Sequence, residues 1–291
     1  MQPTGKNILI TGATGGIGLQ TAIALAKTGA RVMISGRNQA RGQAAVDEIK
    51  RASGNHQVEL YLADVSLQKD VHALADQVGQ QVNHLDVLIN NAGLASPHRT
   101  LTEDGIESNF AVNVLAPFLL TRRLMDCLKS SPAARVINLT GGEASGTIDL
   151  GNLQAERSFD GLNSYSHSKL IMMSLSYEFA LRLSETTISM NVCYPGQAST
   201  NMTRSVTADM LPGFLRLVWP LFKSFVREDG GKSAEKASRS SVYLATSPEV
   251  AGLSGKYFDT HCKMSPWPKP VLDPSTRQAI WALAEKSILP A

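Results

Sequence analysis

Short apolar runs alternate with longer amphipathic stretches along most of this chain. The runs Asn7–Thr11, Arg31–Ser35, Val58–Leu62, Asp86–Asn90, Arg135–Leu139, Ser189–Tyr194 and Gly255–Phe258 are short, apolar and β-prone, and they read as strands. Between them, Gly18–Thr28, Ala40–Ala52, Val71–Val82, Glu107–Leu128 and Tyr165–Leu183 repeat apolar residues at helical spacing. This alternation predicts an α/β fold, a doubly wound and mostly parallel seven-stranded sheet with helices on both faces. No linker or shift in composition divides the chain before residue 200, so a single domain over 1–291 is the economical reading. It carries an extension at 200–230 and a C-terminal extension at 262–291, the latter with a Pro-rich stretch over Ser265–Pro274.

Composition narrows the function classes. With 43% hydrophobic and 18% charged residues the chain can bury a sizeable core. Its net charge of +3 is too mild for a nucleic-acid surface. Cys127, Cys193 and Cys262 are odd in number and far apart, which suits reduced thiols in a cytoplasmic protein and matches no zinc spacing. The first apolar run meets Thr11-Gly12 at once, too soon for a signal segment or a membrane span.

The first strand turns into a helix through Thr11-Gly12-Ala13-Thr14-Gly15-Gly16-Ile17-Gly18. In that context Gly12 permits a tight turn, Gly16 lets backbone amides approach a pyrophosphate, and Gly18 allows close helix–strand packing. Thr14, Gly15 and Ile17 complete the predicted cradle. The second strand ends in Ser35-Gly36-Arg37-Asn38, with no carboxylate for a free ribose 2′-hydroxyl. Arg37 and Arg41 offer guanidinium groups to a 2′-phosphate, and the Ser35 hydroxyl can join them, which favours NADP(H) over solvated helix-start charges. Asp64-Val65 after the third strand is placed to reach the adenine edge, although Asp64 also suits a helix N-cap.

The glycine turn is joined by Asn90-Asn91-Ala92-Gly93, Asn113, Tyr165-Ser166-His167-Ser168-Lys169 and Pro195-Gly196. Together these resemble the short-chain dehydrogenase/reductases over nearly the whole chain, which implies a Rossmann fold. Asn152-Leu153-Gln154, Gly255-Lys256-Tyr257-Phe258 and the apolar Phe214–Val226 segment are similar to the retinol dehydrogenase-like branch, here without the N-terminal membrane anchor of its vertebrate members. Tyr165 and Lys169 lie four apart and share a helix face, so the ammonium is expected beside the phenol, lowering its pKa for proton transfer. The resemblance further implies that Lys169 bonds the nicotinamide ribose and that Asn113 holds a water linking Lys169 to solvent. Asn91, Ala92 and Gly93 are expected to border the cofactor. Pro195-Gly196 would meet the carboxamide, with Thr200 near the pyrophosphate.

One position departs from that pattern. Gly141 stands where the family places the serine that polarises the substrate carbonyl. Thr140 turning inward or Ser145 folding back could stand in, though each also suits loop capping. If the chain is a reductase weakened only by that loss, Gly141→Ser is expected to raise hydride transfer. Beyond the sixth strand, Leu211, Phe214, Leu215, Val218, Leu221, Phe222 and Phe225 recur at helical spacing with Arg216, Lys223 and Arg227 among them, and Pro220 interrupts the stretch. This reads as a lid over an apolar substrate, with a peripheral membrane contact as the alternative. His167 falls off the Tyr165–Lys169 face and reads as structural or substrate-lining. The expected activity is NADP(H)-dependent hydride transfer to or from a carbonyl or secondary alcohol of a hydrophobic small molecule. The alternatives are a redox-silent enzyme on this scaffold and a non-catalytic nucleotide sensor. Resemblance also implies a homodimer or homotetramer pairing through the helices that hold Asn113 and Tyr165.

Overall fold

The computed structural model describes residues 5–141, 146–196 and 232–290. Its strands are β1 (Asn7–Thr11), β2 (Arg31–Gly36), β3 (Val58–Leu62), β4 (Val87–Asn90), β5 (Arg135–Leu139), β6 (Ser189–Cys193), β7 (Lys256–Phe258) and β8 (Met264–Ser265). They form one sheet in the order β3-β2-β1-β4-β5-β6-β7-β8. The first seven run parallel, as the alternation predicts, and β8 adds a two-residue antiparallel edge against β7. The helices are α1 (Gly16–Ala26), α2 (Gln39–Ser53), α3 (Gln68–Gln81), α4 (Ser108–Phe110), α5 (Ala116–Arg123), α6 (Met125–Lys129), α7 (Gly161–Arg182), α8 (Lys232–Thr246), α9 (Lys269–Leu272) and α10 (Pro274–Lys286).

Strand alternation divides the core. Leu9, Met33, Leu88, Val136, Met190 and Val192 face the layer containing α3, α5, α7 and α10. Ile8, Ile10, Val32, Ile34, Ile137, Leu139 and Cys193 face the layer containing α1, α2 and α8. A parallel sheet covered on both sides needs apolar residues at every strand position, which explains the unbroken Ile8-Leu9-Ile10 run.

The stretch Glu107–Leu128, expected as one helix, is divided. The buried Glu107 carboxylate accepts the Asn109 and Phe110 amides at 2.9 and 2.8 Å and starts α4. A π-turn follows over Ala111–Leu115, where the Ala116 amide bonds the Ala111 carbonyl. Pro117 brings no N–H to continue the regular ladder back to Asn113, so the wider turn is the local solution.

The C-terminal extension contains α10, which periodicity alone had not picked out. Asp273 caps it through the Thr276 amide, and Pro274 occupies its first position. Trp281 packs edge-on against Phe118 of α5 and Phe179 of α7, with ring centroids 4.9 and 5.1 Å away. Arg277 reaches buried Glu178 of α7 at 3.3 Å, so the ordered tail braces the helix that carries Tyr165. Among the described residues, no helix is long and apolar enough to cross a membrane.

Candidate active site

All the parallel strands end on one edge of the sheet, and most of the described candidate residues follow those strand ends or approach them from α7. Gly12 has φ +66°, and a Cβ on it would lie 2.8 Å from the Ala92 Cα, so the β1 turn needs glycine on both counts. A Cβ on Gly18 would strike the Asn91 amide and come within 2.8 Å of the Gly12 carbonyl. Asn91 itself locks this turn: its Nδ2 donates to the Thr11 and Gly12 carbonyls at 2.8 and 3.1 Å. The Asn91 and Ala92 amides both donate to the Thr11 hydroxyl. Gly15, extended, leads into α1 with no side-chain cap and no acidic residue in the first turn. The amides of that first turn, with Gly16 and Ile17, are therefore left for an anion beside Thr14.

At the end of β2, Arg37 has 65% of its side chain exposed and pairs with Asp64 at 3.6 Å. Arg41 is exposed in the first turn of α2, its amide capped by Asn38. Asp64 does not cap α3, where Leu67 holds the N-cap position. Its carboxylate instead accepts the Ser66 amide and hydroxyl at 3.0 and 2.7 Å and so closes the turn after β3. Val65 packs against the core beneath it. Ser35 corrects the sequence reading. Its side chain points into the sheet, fully buried and without a hydrogen-bond partner, so it does not stand with the two arginines.

Tyr165 and Lys169 lie on α7, and both are buried, at 7% and 5% exposure. Burial pushes the Tyr165 phenol up to about 12, with the nearby Tyr194 phenol adding to the rise. The lowering expected from Lys169 is not among the causes of this shift, which desolvation dominates. Lys169 donates to the Leu139 carbonyl at 3.1 Å, and burial brings its ammonium down to about 8.

Asn113, in the π-turn, is fully buried and acts as a clamp. Its Oδ1 accepts the Leu94 amide at 2.9 Å, while its Nδ2 donates to the Leu94 carbonyl at 2.8 Å and the Ser168 hydroxyl at 2.9 Å. That is the use the structure makes of the amide among protein groups. A Cβ on Gly93 would sit 3.4 Å from Lys169 Nζ and 3.5 Å from Asn113 Oδ1, so these three residues converge. Ser168 passes the restraint on by donating to the Tyr165 carbonyl at 2.7 Å. Ser168 escaped the sequence reading, although its place between Tyr165 and Lys169 was a usable signal.

Gly141 is where the structure changes the argument most. A Cβ there would fall on the Tyr165 hydroxyl and lie 3.2 Å from Cζ. The phenol fills the room that a residue with a side chain would need. Serine at 141 would therefore require the phenol to shift, which weighs against the gain expected from the sequence. Thr140, on the same strand end, is 3% exposed, and its hydroxyl is unpartnered.

Pro195 and Gly196 follow β6 on the same edge, with Gly196 at φ +83° against Thr260. His167 accepts the Asp149 amide at 3.1 Å and so holds the insert before α7 in place. Thr200, Ser145 and the apolar 211–227 segment, with its lid and membrane readings, lie outside the described residues.

The site fits a dinucleotide: a glycine turn that a Cβ would block, an uncapped helix N-terminus and two exposed guanidinium groups.

A profile of the short chain dehydrogenase family matches residues 6–211. Retinol dehydrogenase 14 of Homo sapiens is 35% identical, over 97% of this chain and 85% of its own length. Retinol dehydrogenase 12 of Mus musculus is 36% identical, over 90% and 80% respectively. Among solved structures, an uncharacterized protein from Mycobacterium Paratuberculosis has a TM-score of 0.75 at 25% identity, covering 98% of this chain and 93% of that one. The RhlG/NADP active-site complex of Pseudomonas aeruginosa has a TM-score of 0.65 at 26% identity, covering 89% and 97%.

Proposed function

The chain belongs to the short-chain dehydrogenase/reductase family, in its retinol dehydrogenase-like branch, and from that premise we propose that it is an NADP(H)-dependent oxidoreductase. It moves a hydride between nicotinamide and a carbonyl or secondary alcohol of an apolar substrate. The observation that carries this reading is the buried Tyr165–Lys169 pair on α7, on the same sheet edge as the uncapped start of α1.

Gly12, Thr14, Gly15, Gly16, Ile17 and Gly18 would hold the pyrophosphate, and Arg37 and Arg41 the 2′-phosphate. Asp64 and Val65 would border the adenine, and Asn91, Ala92, Gly93, Pro195 and Gly196 the nicotinamide half. When bound, the cofactor supplies or accepts the hydride, and in its oxidised form brings a positive charge near the phenol. A phenol held at about 12 stays protonated at neutral pH and can give its proton to a substrate oxygen. Lys169 places a cation behind it, and Asn113 with Ser168 fixes the helix turn that aims it. Ala95 and Leu162 pack on Tyr165 and give the ring apolar neighbours, which suits an apolar substrate. NADP(H) is favoured by the two exposed arginines and by the bound cofactor of the Pseudomonas aeruginosa relative.

Gly141 supports a second reading, a redox-silent isomerisation, elimination or cyclisation on the same residues. The unpaired Cys127, Cys193 and Cys262 suit a cytoplasmic setting. A homodimer or homotetramer would use surfaces outside the parts of α5 and α7 that α10 covers. The test titrates NADPH and NADH against wild type and Arg37→Ala, then follows NADPH oxidation with apolar ketones and aldehydes. Tighter NADPH binding that Arg37→Ala abolishes, with ketone-dependent oxidation, supports the reading. Equal affinities reject the NADP(H) assignment, and NADPH binding without oxidation moves the reading to redox-silent chemistry.

A further inference from the structure

With no side chain at Gly141, the oxygen of a bound carbonyl lacks a second side-chain donor beside Tyr165. Losing one such donor typically costs about 10²–10³ in rate, so a working reductase needs a replacement. Thr140 is a poor one, because at 3% exposure it is enclosed, whereas a half-buried side chain has more room to meet a substrate. The neighbouring strand offers a better group.

β5 and β6 run in register with Leu139 opposite Cys193, and the Thr140 amide donates to the Cys193 carbonyl at 3.0 Å. Tyr194 is thus the first residue past β6, alongside Thr140 and Gly141 past β5. Side chains alternate across a strand: Val192 belongs to the α7 layer and Cys193 to the opposite one, which returns Tyr194 to the α7 layer. The Tyr194 amide donates to the Phe258 carbonyl, which holds the backbone at this register. The Tyr194 phenol acts electrostatically on both Tyr165 and Tyr257, two rings of the α7 layer. Its side chain is half-buried, and among the described residues its hydroxyl has no hydrogen-bond partner.

We propose that Tyr194 is a further catalytic residue, donating a hydrogen bond to the substrate oxygen in the role left open at Gly141. The proposal rests on the oxidoreductase reading above. During reduction the hydride adds to the carbonyl carbon, Tyr165 transfers its proton to the oxygen, and Tyr194 keeps its own proton while its O–H bond dipole stabilises the growing negative charge. A phenolic O–H suits that task, since it donates a hydrogen bond without transferring its proton.

The experiment compares wild type, Tyr194→Phe, Thr140→Val and Tyr165→Phe by NADPH oxidation on para-substituted aryl ketones, with NADPH affinity measured alongside. Tyr194→Phe is expected to lower kcat by about 10²–10³ at unchanged NADPH affinity. The loss should be largest for electron-rich ketones and shrink for electron-poor ones, whose substituents already stabilise the oxyanion. A merely structural role would lower all of them alike. Unchanged kcat in Tyr194→Phe, a uniform loss, or a loss confined to Thr140→Val overturns the proposal while leaving the oxidoreductase reading intact. A folded, NADPH-binding wild type inert on every ketone, or full activity in Tyr165→Phe, overturns that reading and the proposal with it.

Discussion

Removing the buried cation is predicted to make the protein more stable and less active. Lys169 is enclosed on α7 with a carbonyl as its partner, and burial lowers its pKa from 10.5 to about 8. A fall of that size is worth about 3 kcal/mol against the folded state when the group is charged in both states. Lys169→Met keeps the length and apolar stem of the side chain but removes the charge. It also removes the bond to Leu139, a loss of about 1–3 kcal/mol when the carbonyl goes unpaired. The net expectation near neutral pH is a gain of about 1 kcal/mol, or roughly 2–4 °C in Tm. The folded-state pKa lies below the unfolded one, so the penalty is complete below about 8, fades as pH rises, and is gone above 10.5. Cys193 and Tyr165, whose pKa values are raised to about 12 by burial, lose their stabilising contribution as pH rises and oppose that trend in the wild type. The informative quantity is therefore the difference between variant and wild type in urea unfolding across this pH range. The advantage of Lys169→Met should be largest below about 8 and turn into a deficit above 10.5. A variant less stable than wild type near neutrality, by an amount independent of pH, would refute the reasoning.

Gly141→Ser should lower turnover by about 10²-fold, because the new Cβ displaces the Tyr165 phenol and small misplacements of a reacting group cost that much. Steady-state kinetics with matched NADPH titrations checks this, and a rise in kcat would contradict it. Gly12→Ala should destabilise the fold by about 1–3 kcal/mol and weaken NADPH binding, since the position combines φ +66° with the approach of Ala92. Urea unfolding and fluorescence titration measure the two effects, and wild-type values in both would count against the close approach.

The bounds of β1 and β5 follow directly from the apolar pattern, because a strand covered on both faces has few polar positions to blur its ends. Glu107–Leu128 misled because its apolar spacing continues through Pro117, while the regular hydrogen-bond ladder gives way to a π-turn before it. The start of α10 was written in Asp273-Pro274, but its apolar face has meaning only against Phe118 and Phe179, which are distant in sequence. In the site, the spacing of Tyr165 and Lys169 was legible from helix geometry. The upward shift of the phenol was not, since desolvation depends on everything packed around it. Ser35 could have been set aside by strand alternation, and the same rule marks Tyr194.

The central claim is that this chain transfers a hydride with Tyr165 supplying the proton. Its most direct test is mass analysis of the alcohol formed from an apolar ketone and NADPH deuterated at the transferable position. Wild type should deliver the deuterium to the carbonyl carbon, and Tyr165→Phe, folded and still binding NADPH, should form almost no labelled alcohol. Alcohol without deuterium, or labelled alcohol formed by Tyr165→Phe at the wild-type rate, would contradict the account.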